Sequence, residues 1–249
     1  MHSSRHAGKG NVDMYSSAFC RVYNEFGWNY FPRAFGEQLL EWLRRNQVEV
    51  KTSLDLGCGT GVLCETLYEQ GIQAAGMDLS EGMISIARES MPEISYDVAD
   101  MITYRPDRRF DLVTCTGDAL NHIIDLNDIE TIFRNVYGYL NAGGHFIFDI
   151  LNEKEVNPGE PIDLDFSETI KAQFLITQDQ EGIINLRTSV YENGILQFEE
   201  NITETIHDPD AICALLRKCG FELVQCADQL LQDADAHGNT WFIIAKKPV

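Results

Sequence analysis

Three glycines at alternate positions, Gly57, Gly59 and Gly61, follow the apolar stretch 52–56 and precede a helical pattern at 62–69. Glycine has no Cβ, so this loop can turn tightly and bring backbone atoms close to a ligand. The spacing is neither the G-x-G-x-x-G dinucleotide fingerprint nor the P-loop pattern, and no lysine follows to hold a β- or γ-phosphate. We therefore expect a ligand other than a pyrophosphate or triphosphate at this loop.

Acidic residues end several of the apolar stretches that read as strands. Asp55 lies just before the glycines, Asp78 ends the second stretch, Asp100 follows the third and Asp149 is near the end of the fifth. An acid about 20 residues beyond a glycine-rich loop, at a strand end, can bind the two ribose hydroxyls of an adenosine. Asp78 has this position, so the pattern indicates an adenosine-containing ligand.

The elements that must position these side chains alternate between strand and helix patterns. We predict strands at 52–56, 72–79, 94–99, 110–115, 145–150, 221–227 and 240–246, and intervening helices at 62–69, 81–90, 127–140 and 210–219. This order predicts an α/β fold with a Rossmann-like, seven-stranded, mostly parallel sheet and helices on both faces. Ligands bind at the carboxyl ends of such strands, which groups six residues in one crevice: Asp55, Gly57, Asp78, Asp100, Thr116 and Asp149.

Two segments differ from this alternation. Residues 15–45 are rich in aromatics at helical spacing and predict two helices broken around 27–32, which either pack on the body or form a lid. Residues 166–206 alternate between apolar and polar side chains and predict three or four inserted antiparallel strands. We expect a disordered segment at 1–13, one domain formed by 14–151 and 208–249, and an inserted β subdomain at 152–207.

Composition limits the classes of partner. The chain has 19 Lys and Arg against 39 Asp and Glu, a formal net charge of -20, so we expect no nucleic-acid partner. Its seven cysteines are scattered without a C-x-x-C pair, which predicts reduced thiols in a cytoplasmic protein and neither a metal site nor a disulfide framework. No apolar run reaches the length of a membrane span. The composition leaves open whether the protein is a monomer or a homodimer.

Five ordered motifs resemble those of class I S-adenosylmethionine-dependent methyltransferases, in particular the small-molecule N-methyltransferase branch. The motifs are Leu54-Asp55-Leu56-Gly57-Cys58-Gly59-Thr60-Gly61, Gly76-Met77-Asp78-Leu79-Ser80, Ala99-Asp100-Met101, Phe110-Asp111-Leu112-Val113-Thr114-Cys115 and Leu140-Asn141-Ala142-Gly143-Gly144. The resemblance covers residues 14–151 well and the last two strands moderately. It implies S-adenosylmethionine as the cofactor and a small molecule as the methyl acceptor.

The resemblance also implies roles for individual residues. Backbone atoms around Gly57, Cys58 and Gly59 would contact the methionine part of the cofactor, and Asp55 would help to hold its amino group. The remaining predicted cofactor contacts are Asp78 at the ribose, Leu79 and Met101 on either side of the adenine, Asp100 at the adenine amine, Thr116 after the fourth strand, and Tyr15 and Tyr23 near the open side.

Two residues are candidates for catalysis. His122 occurs where similar N-methyltransferases have a histidine, and an imidazole with a pKa near neutrality suits removal of a proton from an ammonium or hydroxyl acceptor. A structural histidine at a helix start explains the same residue equally well. Asp149 is the second candidate, as a carboxylate that could orient an amine, whereas His145 within the fifth strand is expected to be structural.

The leading interpretation is an enzyme that transfers a methyl group to a small amine or hydroxyl acceptor by in-line displacement. An S-adenosylmethionine-binding module that lacks turnover and acts through a protein partner is the alternative. An NAD-dependent dehydrogenase is a third interpretation, which the Gly-x-Gly-x-Gly spacing disfavours. The sequence does not distinguish between nitrogen, oxygen and carbon as the methylated atom.

Overall fold

A computed structural model describes residues 15–25, 27–152, 158–180, 182–228, 230–231 and 240–249. Its helices are α1 (Ser17–Tyr23), α2 (Tyr30–Arg45), α3 (Val62–Glu69), α4 (Glu81–Ser90), α5 (Leu126–Tyr139) and α6 (Pro209–Lys218), with a 3-10 turn at Ala119–His122. Its strands are β1 (Thr52–Leu56), β2 (Gln73–Asp78), β3 (Ser95–Val98), β4 (Phe110–Cys115), β5 (Leu140–Leu151), β6 (Ile162–Asp165), β7 (Ile170–Gln178), β8 (Ile183–Glu192), β9 (Ile195–Thr205), β10 (Glu222–Ala227) and β11 (Thr240–Lys246).

Seven strands form the central sheet in the order β10-β11-β5-β4-β1-β2-β3. The pairs from β5 to β3 are parallel, whereas β11 is antiparallel to both β5 and β10. The chain runs outward from β1 to β2 and β3 on one side, and then returns to β4 and β5 on the other. The loops after β1 and β4 therefore diverge and leave a crevice at their carboxyl ends, where open α/β sheets bind ligands.

Apolar side chains cover both faces of this sheet. On one face, Phe133 of α5 and Ile212 of α6 are fully buried with the strand residue Leu54. On the other, Leu39 of α2 and Leu63 of α3 are buried in a second cluster. Burial on both sides explains why the strands read as continuous apolar runs, and it fixes the strand ends that carry the polar residues.

The second sheet is a four-stranded antiparallel meander in the order β6-β7-β8-β9. Asn193 and Gly194 both have positive φ (51° and 76°), as the tight turn between β8 and β9 requires. Aromatic contacts join this sheet to the N-terminal helices, with ring centroids 6.3 Å apart for Phe19 and Phe198 and 6.1 Å apart for Trp28 and Phe174. The second sheet and the N-terminal helices thus form a continuous cover over the carboxyl end of the central sheet.

Several element boundaries differ by one residue from those expected from sequence, and two differ by more. Strand β5 begins at Leu140, five residues early, because Leu140 already pairs with Phe110 of β4 and the glycine pair follows within the strand. Helix α2 begins at Tyr30 and includes Pro32, since a proline in the first helical turn gives up no intrahelical hydrogen bond. The expected disordered segment at 1–13 lies outside the described residues. No helix among those described is both long and apolar enough to cross a membrane.

Candidate active site

A cavity of about 330 Å³ lies at the carboxyl ends of β1, β2 and β4. The glycine loop forms its floor, and residues of α1 and β9 form its roof. Aromatic side chains from the N-terminal segment line much of the wall: Tyr15, Phe19, Tyr23, Trp28 and Phe31. A largely apolar cavity with a few converging polar groups is the usual form of a small-molecule site.

The glycine loop is held against β2 by its backbone. The amides of Gly57 and Cys58 both donate to the carbonyl of Met77, at 2.8 and 3.0 Å. Gly57 has a φ of +71°, and a Cβ there would lie 2.9 Å from the Cβ of Ala119. Gly59 also has a positive φ of +53°, but no atom lies within 4 Å of where its Cβ would be. The chain therefore leaves open space beside Gly59, at the base of the cavity.

Asp78 is only 7% exposed and receives two backbone hydrogen bonds. Its Oδ2 accepts from the amide of Gly59 at 2.9 Å, and its Oδ1 accepts from the amide of Ser80 at 2.8 Å. Burial raises the pKa of Asp78, while these hydrogen bonds lower it. Each carboxylate oxygen can accept a further hydrogen bond, so two hydroxyl donors facing the cavity would complete its coordination.

Asp55 lies beneath the same loop. Its Oδ1 accepts a 2.7 Å hydrogen bond from the Thr114 hydroxyl, and burial raises its pKa to about 7. Further along the cavity Leu79 is 39% exposed, an unusual fraction for a leucine beside buried strands. Met101 lines the cavity with it, and Asp100 is held by a hydrogen bond from the Ile102 amide at 2.8 Å. The side chains of Leu79 and Met101 offer apolar surfaces on which a flat ligand group can pack.

His122 lies at the opposite end, under the second sheet. Its Nδ1 is 3.3 Å from the carbonyl oxygen of Thr203, and its Nε2 is 3.5 Å from the hydroxyl of Tyr15 and 3.7 Å from Oε1 of Glu204. A carbonyl can only accept, so this contact favours a proton on Nδ1 and makes Nε2 the acceptor on the cavity side, where the Tyr15 hydroxyl can donate to it. Burial lowers the pKa of His122, which favours the neutral imidazole that a general base requires.

Two carboxyl groups at this end were not among the sequence-predicted site residues. Asp118 precedes the 3-10 turn with a φ of +61°, and Glu204 comes from β9 of the second sheet. Burial raises the pKa of Asp118 to about 6, and burial together with the Asp118 charge raises the pKa of Glu204 to about 7. Ile202 and Glu204 are two positions apart on β9 and so lie on the same face of the strand. This spacing could have identified Glu204 as a site residue, but sequence alone does not tell which face is inward.

The structure places Asp149 differently from the expectation for a catalytic residue. It has no exposed surface, does not line the cavity, and accepts backbone hydrogen bonds from Gly117 at 3.2 Å and Asp118 at 3.4 Å. Burial raises its pKa well above the usual range, with the Asp118 charge adding to the effect. Asp149 therefore supports the loop that carries Asp118 and is not part of the cavity lining.

The other sequence-predicted site residues all line the cavity: Tyr15, Tyr23, Asp55, Gly57, Cys58, Gly59, Asp78, Leu79, Asp100, Met101, Thr116 and His122. Two further histidines lie outside the lining. His207 is buried with its Nε2 2.9 Å from the carbonyl oxygen of Ile123, and His145 is buried in β5 against Trp42. Of the three described histidines, His122 is the one that faces the cavity.

The strand order, the glycine loop after β1 and the acid at the end of β2 define the fold of class I methyltransferases that use S-adenosylmethionine. Residues 54–144 match a family model described as a methyltransferase domain. The matched segment extends from β1 into β5 and so contains the glycine loop, Asp78, Asp100 and His122. The fold and this match are therefore both those of S-adenosylmethionine-dependent methyltransferases.

Individual relatives extend the likeness beyond the matched segment, over at least 93% of the chain. It is 27% identical over 247 residues to the putative methyltransferase YqeM of Bacillus subtilis (strain 168), covering 94% of this chain and 98% of that protein. In fold it is similar to an S-adenosylmethionine-dependent methyltransferase from Clostridium acetobutylicum ATCC 824 (TM-score 0.80, 22% identity, 93% of this chain and 98% of the other). It is also similar to CalS10, an amino pentose methyltransferase from Micromonospora echinaspora (TM-score 0.74, 18% identity, 97% and 100%).

The residues of the cavity fit S-adenosylmethionine. Asp78 retains acceptor capacity toward the cavity for two ribose hydroxyls, and the space beside Gly59 allows a ligand to contact the loop. Leu79 and Met101 offer apolar surfaces for an adenine. Asp55 lines the cavity next to the glycine loop and offers a carboxyl group for an amino group of the methionine part.

Proposed function

We propose that the protein methylates the amine nitrogen of a small molecule, with His122 as the general base. The observation that carries this proposal is the orientation of His122. Its Nδ1 is engaged by the Thr203 carbonyl, while its Nε2 is directed toward the cavity beside Tyr15 and Glu204. A neutral imidazole in this orientation can take a proton from an ammonium group that enters the cavity.

The cofactor, when bound, supplies a methyl group that its sulfonium sulfur already activates. The residues of the chain then have three tasks. Asp78 and the backbone at Gly59 hold the nucleoside end, the aromatic wall around Tyr15 and Tyr23 excludes water, and His122 removes one proton from the acceptor. The nitrogen lone pair freed by His122 would then accept the methyl group that the bound cofactor supplies, with the electron pair of the broken S–C bond left on sulfur. Placement in line is expected to supply most of the acceleration.

Similar proteins support nitrogen as the methylated atom. The amino pentose methyltransferase CalS10 and KedS8, described as a sugar N-methyltransferase, share the fold over 97% and all of this chain. Glu204 and Asp118 add to this support, because carboxylates beside the base favour an ammonium acceptor over a neutral alcohol. A hydroxyl acceptor remains the runner-up.

The test is a competition between amines and their matching alcohols. Purified protein is incubated with methyl-deuterated S-adenosylmethionine and pairs of compounds that differ only in NH₂ against OH, such as amino sugars and the parent sugars, with products identified by mass spectrometry. We expect deuterated methyl groups on amine nitrogen. Exclusive labelling of alcohols would contradict the proposal.

His122→Asn tests the base, since the asparagine amide can still donate to the Thr203 carbonyl. General-base catalysis contributes about 10²- to 10⁴-fold, so we expect kcat to fall by roughly 10²-fold or more. His145→Asn is the matched control, because His145 is buried in β5 outside the cavity lining. An unchanged kcat in His122→Asn, with thermal stability retained, would show that His122 is only structural.

A further inference from the structure

Glu204 and Asp118 have no lysine or arginine partner among the described residues. Glu204 lies 3.7 Å from the Nε2 of the neutral His122, and the Asp118 backbone amide, not its side chain, makes the hydrogen bond to Asp149. The side chain of Glu204 is only 14% exposed. A carboxylate kept from water without a cationic partner is unfavourable, so a ligand that brings a positive charge would be bound favourably here.

Apart from His122, the ionisable side chains that line the cavity with an ordinary charge at neutral pH are all acidic. The lining contains five carboxyl groups and no lysine or arginine among the described residues: Asp55, Asp78, Asp100, Asp118 and Glu204. Three of these lie at the nucleoside and methionine end, which leaves Asp118 and Glu204 for the acceptor. A phosphate or diphosphate on the acceptor would meet only like charge here, and the net charge of -20 adds a long-range repulsion.

The walls beside these two carboxyl groups also suit a cation. Tyr15 stacks on Phe19 with ring centroids 4.8 Å apart, and Phe19 stacks on Trp28 at 4.7 Å, so these three rings form one packed aromatic group that lines the cavity. Burial raises the pKa of Tyr15 well above its usual range, so its ring carries an uncharged hydroxyl. A ring face of Tyr15 or Trp28 that a ligand reaches would attract an ammonium group, including a methylated one, more than a neutral or anionic group.

We propose that Glu204, assisted by Asp118, is the specificity-determining residue that binds the acceptor's positive charge, so that the acceptor is a compact amine cation without phosphate groups. This inference rests on the proposed function and names the substrate class of the same site. It separates this chain from a relative such as the dTDP-4-amino-2,3,4,6-tetradeoxy-D-glucose N,N-dimethyltransferase of Saccharopolyspora spinosa, 27% identical over 107 residues, whose described substrate is a nucleotide-linked sugar.

The experiment compares two probes of equal shape that differ in charge. Choline and its neutral carbon isostere 3,3-dimethylbutan-1-ol are titrated calorimetrically into protein saturated with S-adenosylhomocysteine, and inorganic pyrophosphate is titrated as the anionic probe. The variants are Glu204→Gln and, as a control with the same charge change, Glu199→Gln. Glu199 lies on the same strand outside the cavity and contacts Ser189.

We expect choline to bind roughly tenfold or more tightly than the isostere, and pyrophosphate not to bind. Glu204→Gln should abolish the preference for choline, while Glu199→Gln should retain it. Equal affinity for both probes, a preference that survives in Glu204→Gln, or binding of pyrophosphate would overturn the inference. Failure of the wild type to bind S-adenosylhomocysteine would instead overturn the proposed function itself, so the two failures are distinguishable.

Discussion

The side-chain amide of Asn121 donates a 2.7 Å hydrogen bond to the backbone carbonyl of Thr205. Thr205 is the last residue of β9, and Asn121 is next to the candidate base His122. The amide oxygen of Asn121 accepts a second hydrogen bond, from Leu151 at 3.1 Å, at the end of β5. One fully buried side chain therefore links both ends of the inserted segment to the turn that carries His122.

Asn121→Ala should uncouple the second sheet from this turn. It leaves the Thr205 carbonyl and the Leu151 amide without their side-chain partner, which costs about 1–3 kcal/mol of unfolding free energy for a buried group. Because Thr203 and Glu204 are on the same strand, we also expect kcat to fall by roughly tenfold or more. Urea denaturation and steady-state kinetics measure the two effects.

Asn141→Ala is the control for that variant. Asn141 lies at the start of β5, away from the cavity. Its side-chain amide donates a 2.7 Å hydrogen bond to Asp111 of β4. The Asn141→Ala variant should have a lower free energy of unfolding but an unchanged kcat. A kcat that falls equally in both variants would show that Asn121 acts only through overall stability.

Gly59 and Gly71 form a matched pair for testing where the ligand lies. Both have positive φ (+53° and +82°), and neither has an atom within 4 Å of where a Cβ would be. Alanine at either position therefore carries the same kind of backbone cost, about 1 kcal/mol. Only Gly59 lines the cavity, so Gly59→Ala should weaken S-adenosylhomocysteine binding by roughly tenfold or more, and Gly71→Ala should not. Equal affinities would show that no ligand occupies the space beside Gly59.

Glu204 should make the free protein less stable as the pH rises. Its folded pKa of about 7 lies above the ordinary glutamate value of 4.5, so the folded state holds the proton more tightly. The stability this provides is present below about pH 4.5 and is lost as the pH rises through 7. Glu204→Gln should then raise the unfolding free energy at pH 8, by on the order of 2 kcal/mol, and much less at pH 5.

Thermal unfolding at the two pH values, without ligand, measures this difference. Glu199→Gln is again the control, because the Glu199 side chain is 42% exposed on the same strand. A gain in Tm that is the same at pH 5 and pH 8 would mean that Glu204 is not a buried ionised group at neutral pH.

The sequence predicts most of the glycine and strand-end residues that line the cavity, because these signals are local. The glycine loop, Asp78 and the strand ends are each set by a few neighbouring residues whose backbone needs are visible in their types. The hairpin turn at Asn193 and Gly194 is predictable for the same reason.

The acceptor end depends on contacts distant in sequence. Glu204 reaches His122 from 82 positions along the chain, a contact that needs the orientation of the second sheet. Asp149 and Asp118 look alike in sequence as acids near strand ends, and only the course of the loop after β4 determines which one is covered. A positive φ at a non-glycine residue such as Asp118 is not visible from residue type.

The most direct test of this account is calorimetric titration of S-adenosylhomocysteine into the wild type and Asp78→Asn. Asparagine keeps the size of the side chain but removes the charge, and circular dichroism checks that the loop-bearing fold is retained. We expect micromolar binding to the wild type and a loss of roughly 10- to 100-fold in the variant, as for a hydrogen bond to a charged group. Absence of binding to the wild type, or equal affinity in a folded Asp78→Asn, would contradict the assignment of this cavity as the S-adenosylmethionine site.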